Sequence, residues 1–105
     1  MTNHPDPLTR VLKIEDFQPL HDQDFTLHFA DEQFTLKLVE VATSRNFHPD
    51  PNMRPPFALL FKCADPRILP QQLHDMHCDS LGALVIFLVP VGGDADGISY
   101  EAVFN

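Results

Sequence analysis

The sequence predicts a mainly β fold: an antiparallel meander of about six strands that curls into a small barrel, with one short N-terminal helix. Three observations predict it. Apolar and polar residues alternate over 25–29, 34–38 and 98–104, which is the period of a half-buried strand. Residues 57–62 (FALLFK) and 83–91 (ALVIFLVPV) are apolar at nearly every position and rich in branched and aromatic side chains. Ten prolines against four glycines fall mostly between these runs, where they mark strand ends and loops. Curling into a barrel follows because it hides the sheet edges.

The elements follow in chain order. Residues 1–7 (MTNHPDP) are polar and carry two prolines, so they read as a flexible tail, with residues 8–105 forming a single β domain. Leu8, Val11, Leu12, Ile14 and Phe17 recur at three- and four-residue spacings, which predicts a helix over 9–17 that Pro19 stops. Phe25, Leu27 and Phe29 then alternate with Thr26 and His28. The polar tetrad 30–33 turns the chain into Phe34, Leu36 and Leu38, a hairpin without the Asn-Gly signature. The alternation slips phase at Leu38-Val39 and resumes at Val41, which predicts a bulge. Residues 43–56 (TSRNFHPDPNMRPP) form a polar loop with four prolines. A central strand over 57–62, a loop through Gln71 and a weaker strand over 72–78 follow, the last with His74, Met76 and Cys78 on one face. Ser80-Leu81-Gly82 turns into the core strand 83–91. The cluster 92–97 turns again, into a last strand running to Asn105. No internal repeat is visible.

Seven basic against fifteen acidic residues give a formal charge of -8, whose field disfavours a polyanion such as nucleic acid. No apolar run approaches the roughly 20 residues that span a bilayer, and residues 1–7 lack a secretory pattern. A cytoplasmic protein is expected, with Cys63 and Cys78 as free thiols in or near the core.

Chemistry is muted. Cys63, His74, His77 and Cys78 are zinc-type ligands, but their spacing matches no compact zinc pattern, and His74 and His77 point to opposite faces of a strand. With Gly97 in the invariant glycine slot of a calcium loop, Gly92 and Val103 occupy positions that need carboxylates. A turn is the better account of 92–97. Ser44, Ser80 and Ser99 lack a nucleophile elbow, and Cys78 and His77 are neighbours that face apart. The pairs Glu15-Asp16 and Asp31-Glu32 read as solvated charge. No cofactor and no metal is expected. The segments His48-Pro49-Asp50-Pro51 and Arg54-Pro55-Pro56 stiffen their loop and offer an extended surface, on which Phe47, Met53 and Arg54 mark a partner contact.

A resemblance adds to this reading. It is carried by PPFALLF at 55–61, Leu69-Pro70-Gln71, Leu81-Gly82, FLVPVG at 87–92, Asp94-Ala95-Asp96-Gly97 and the terminal YEAVFN at 100–105. Phe17 and Leu20 followed by Phe25 extend it toward the N-terminus. The chain resembles a bacterial family of proteins of about this length classed only as a domain of unknown function. The resemblance assigns no catalytic residue. It implies a gene neighbourhood of phage-tail-collar-like proteins, and so an accessory or assembly role. Among the shared strings Glu101 stands out, an acid in the last strand that reads first as part of a solvated outward face, with a buried ion pair to Arg54 or Lys62 as the alternative.

The expected function is a structural or protein-interaction module, accessory to phage-tail-like assemblies, that contacts another protein through sheet edges or the 43–56 loop. The alternative is a small-molecule-binding barrel with its cavity among Phe25, Phe57, Phe87 and Phe104. A metal-dependent enzyme built on Cys63 is a third and lesser reading.

Overall fold

The computed structural model describes residues 12–43 and 56–104. Its elements are α1 (Ile14–Phe17), a 3-10 turn over Gln18–Leu20, then β1 (Asp24–Phe29), β2 (Glu32–Thr43), β3 (Phe57–Cys63), β4 (Gln72–Cys78), β5 (Gly82–Asp94) and β6 (Gly97–Phe104). The helix is shorter than the periodicity predicts. Lys13 is extended, at φ -121° and ψ 159°, and its N–H donates to Asp16 Oδ2 at 2.8 Å, so the helix opens only at Ile14. Residues 9–11 of the expected helix lie outside the described residues, as do the tail at 1–7, the loop positions 44–55 and Asn105.

The six strands form a closed antiparallel barrel in the order β1-β2-β3-β6-β5-β4. This is two three-stranded meanders set side by side, rather than one continuous meander. Each half is a strand, a long bulged strand and a strand, and the halves join through like partners, β1 with β4 and β3 with β6. The long strands break register at equivalent places, Val39 between Leu38 and Glu40, and Val91 between Pro90 and Gly92. The structure thus carries a topological repeat, with an approximate two-fold arrangement, that the sequence does not display.

Local chemistry explains the joints. Ala30 and Asp31 both take left-handed backbone angles, at φ 51° and 62°, so a two-residue turn of the primed type replaces the tetrad the sequence suggests. The predicted bulge falls where expected, and His21 Nε2 sits 2.9 Å from the Val39 carbonyl that the bulge frees. The second bulge follows Pro90, which has no N–H to give a ladder. Beyond it, Gly92 and Gly93 stay in β5 and pair with Ser99 and Ile98, so the expected turn cluster shrinks to Ala95-Asp96.

Inside the barrel the inward positions fill the space: Phe25 and Leu27, Leu36 and Leu38, Leu59 and Phe61, Leu84 and Ile86, Tyr100 and Ala102 are all buried. Different segments close the two ends. At one end α1 drives Phe17 against Phe25, Phe57 and Phe104, with centroids 6.5, 5.9 and 5.7 Å away. Phe57 and Phe104 themselves stack at 4.6 Å. At the other end the β3–β4 crossover, residues 64–71, drops Leu69 into the core, where its N–H donates to Tyr100 Oη at 2.9 Å.

Candidate functional site

Strand parity decides what β5 shows to solvent. Leu84, Ile86 and Leu88 point into the core, so Ala83, Val85, Phe87 and Val89 point outward. In an antiparallel barrel the outward set is ordinarily polar. Here every member is apolar. The neighbouring strands add to it. Leu73 on β4 pairs directly with Phe87, and Glu101 on β6 pairs with Val89. The β5–β6 ladder ends at the Val89–Glu101 pair, and Phe87 and Val103 are the next outward residues beyond it on the two strands, so continuing the register sets them side by side. Leu73, Phe87 and Val103 are 53%, 47% and 58% exposed, which is far more than packing against their own fold leaves open. Leu60 on β3 continues the surface, paired with Glu101 on one side and Glu40 on the other. A cleft of about 220 Å³ lies there, lined by Glu40, Ala42, Ala58, Leu59, Leu60 and Glu101.

Charge around this face is acidic. Asp75 stands opposite Val85 on β4, with His28 of β1 on its other side. Glu40, Asp75 and Glu101 join none of the ion pairs among the described residues. Lys62, one of the two partners the sequence suggests for Glu101, instead binds Asp94, with Nζ 2.7 Å from Oδ2. The strand register explains the choice: Lys62 lies opposite Ser99, toward the β5–β6 turn that presents Asp94, and away from Glu101. Lys62 holds the Asp94 carboxyl below its ordinary range, and the Asp96 N–H donates to the other oxygen at 2.8 Å. Arg54, the other suggested partner, lies outside the described residues, as do Phe47 and Met53.

A second polar cluster is structural. Arg67 in the crossover reaches Asp65 and Glu32 together, at 2.8 and 2.9 Å, and its guanidinium lies 4.9 Å over the Phe34 ring. It pulls the Asp65 carboxyl down to about 2 and is itself held firmly protonated. The effect is to strap the crossover onto the β1–β2 hairpin. Tyr100 supports the same crossover from within, and burial raises its phenol above the usual range.

The remaining candidates separate. Cys63 and Cys78 are free and buried. Cys63 ends β3 beside the crossover, where burial raises its thiol, whereas Cys78 ends β4 next to Leu20 and Gln23. His74 is buried, with Nε2 2.7 Å from the Pro70 carbonyl, Nδ1 unpartnered and the Phe29 ring edge-on at 5.7 Å. His77 faces out, so β4 does split the two histidines, and Cys78 and His77 face apart. Among the described residues no three His, Cys, Asp or Glu side chains gather as a metal site. The four phenylalanines expected around a ligand cavity also part company. Phe25 and Phe57 are buried in the core and Phe104 packs against it, but Phe87 has outward parity and faces solvent.

Sequence reasoning missed Leu73, Val103 and the outward role of Phe87. The signal lies in 83–91, which is apolar at both alternating sets and so reads as a core strand without marking an outer face.

Comparison with known proteins places the chain without assigning it an activity. A family described as "Domain of unknown function (DUF6916)" matches residues 12–104, and the chain belongs to that family. No curated protein and no solved structure matches it. No helix among the described residues is long and apolar enough to cross a membrane.

Proposed function

We propose that this member of the family is a protein-interaction module whose contact surface is the outer face of β4, β5 and β6, centred on Phe87. One observation carries the reading: Leu73, Phe87 and Val103 form an exposed apolar row on a barrel whose core is already full. Such a row is a liability in solution unless something covers it. The mode of contact is side chain to side chain. Every strand has a neighbour on both sides in the closed barrel, so the sheet offers only short unpaired stretches and no full edge strand to a partner's sheet. A net charge of -8 favours a protein over a nucleic acid as that partner. The implied neighbourhood of tail-collar-like genes makes a phage-tail-like assembly in the cytoplasm the first place to seek it. The loop bearing Phe47, Met53 and Arg54 is a second contact in this reading.

The test is co-purification from the native cell at endogenous level, comparing the wild-type chain with Leu73→Ser/Phe87→Ser. The proposal expects a stoichiometric partner with the wild type that the double variant fails to retain, while Phe47→Ala/Met53→Ala weakens retention further. Equal recovery by the wild type and Leu73→Ser/Phe87→Ser overturns the assignment of the face.

A further inference from the structure

We propose that the face on β4–β6 takes a basic amphipathic segment of another protein, one whose apolar side chains are flanked by lysine or arginine. This rests on the interaction-module reading and adds the chemistry of the occupant. The carboxylates are the reason. Glu40 and Glu101 flank Leu60 in one row across β2, β3 and β6, their backbones about 10 Å apart at two inter-strand spacings. Both line the same cleft, with Leu60 between them. Asp75 stands on the opposite flank of the Leu73–Phe87 pair, two residues along β4. The apolar row therefore lies between acids on both sides.

No cation of this chain answers those acids among the described residues. Lys62, the next outward position on β3, is committed to Asp94, and Arg67 is committed to Asp65 and Glu32. Lys37, outward on β2 before the bulge, stands opposite Asp24 of β1 and Lys62 of β3 and forms no ion pair with Glu40. His28, across from Asp75 on β1, and His77, the next outward residue on β4, are the titratable bases beside that acid. Acids of like sign on one face repel, and a partner carrying cations relieves that repulsion while its apolar side chains cover Phe87. A second copy of the chain fits poorly. It would set Glu40, Asp75 and Glu101 against their own counterparts and bring together two chains that each carry -8. An acidic or neutral segment would leave the carboxylates unanswered in a desolvated contact.

The experiment uses the full chain, isotope-labelled and followed by NMR, titrated with a short peptide of alternating leucine and lysine and with its leucine–glutamate counterpart. The expected result is a shift of the Leu73, Phe87, Val89 and Glu101 amides by the lysine peptide only. Affinity should fall about tenfold, equivalent to about 1.4 kcal/mol, in Glu40→Gln/Glu101→Gln. It should also fall with added salt. Equal binding of both peptides at this face, or binding untouched by the glutamine substitutions, overturns the basic occupant and leaves the interaction face standing. Self-association that Phe87→Ser abolishes, seen by light scattering, overturns it in favour of a second copy. Absence of any shift at these residues overturns the basic occupant as well, and the co-purification comparison then decides whether the face itself survives.

Discussion

Gly97 shows how tightly single residues are held in this barrel. It opens β6 at φ +134°, and a Cβ placed there would lie 2.0 Å from the Cys63 carbonyl oxygen. Gly82 also has a positive φ, +71°, yet its Cβ would meet open space. Gly97→Ala is therefore expected to destabilise by at least about 2 kcal/mol, from backbone strain and forced displacement of β3. Gly82→Ala is expected to cost about 1 kcal/mol, from the left-handed backbone alone. Urea denaturation of the two variants checks the order, and equal losses would contradict it. Asp65 gives the pH dependence at this scale. Its folded value, about 2, lies below the unfolded value of about 3.9. The stabilisation it gives is complete above the unfolded value and is lost as pH falls from about 4 to about 2. Asp94 shifts in the same direction. Melting temperature measured across that window should fall less steeply in Asp65→Asn than in the wild type. Parallel curves would show that the Arg67 strap contributes nothing. Cys63 and Tyr100 act in the opposite direction, since burial raises both. Their contribution is complete below their unfolded values and fades at alkaline pH.

Among elements, the strands were the legible part. Alternation at Phe25, Leu27 and Phe29 and at Phe34, Leu36 and Leu38 reports one buried face, and the phase slip at Leu38-Val39 locates the first bulge to the residue. The start of the helix was not legible. Leu12 is buried like a helical core residue, but it lies before the helix, which opens after the extended Lys13, and periodicity cannot tell the two apart. The hairpin turn was hidden for another reason. Ala30 is a poor choice for a left-handed position, and it is tolerated because the Phe29–Glu32 pair and the strands on either side hold it. The orientation of β5 is the costliest ambiguity. An all-apolar strand has no preferred face in its own sequence. Only the pairing with β4 and β6 shows that Ile86 belongs to the core and Phe87 to the surface.

At the level of the whole molecule, strand order is what no local pattern encodes. The β3–β4 crossover carries the chain from one three-stranded unit to the other. Leu69, Tyr100 and the Arg67 strap then fix it in place. Closure leaves no full edge strand, so in the proposed function the partner meets an outer face. The acids that flank Phe87 were visible as residues, but their gathering from β2, β4 and β6 depends on that order. β5 serves the fold with one face and, in the proposed function, a partner with the other. The most direct test is equilibrium denaturation of the adjacent substitutions Ile86→Ala and Phe87→Ser. Ile86→Ala is expected to lose about 2–5 kcal/mol, because it opens a cavity in the core. Phe87→Ser is expected to lose less than about 1 kcal/mol, the worth of an exposed cross-strand pair. Comparable losses at both positions would mean that the outer face is part of the fold and is not held open for a partner.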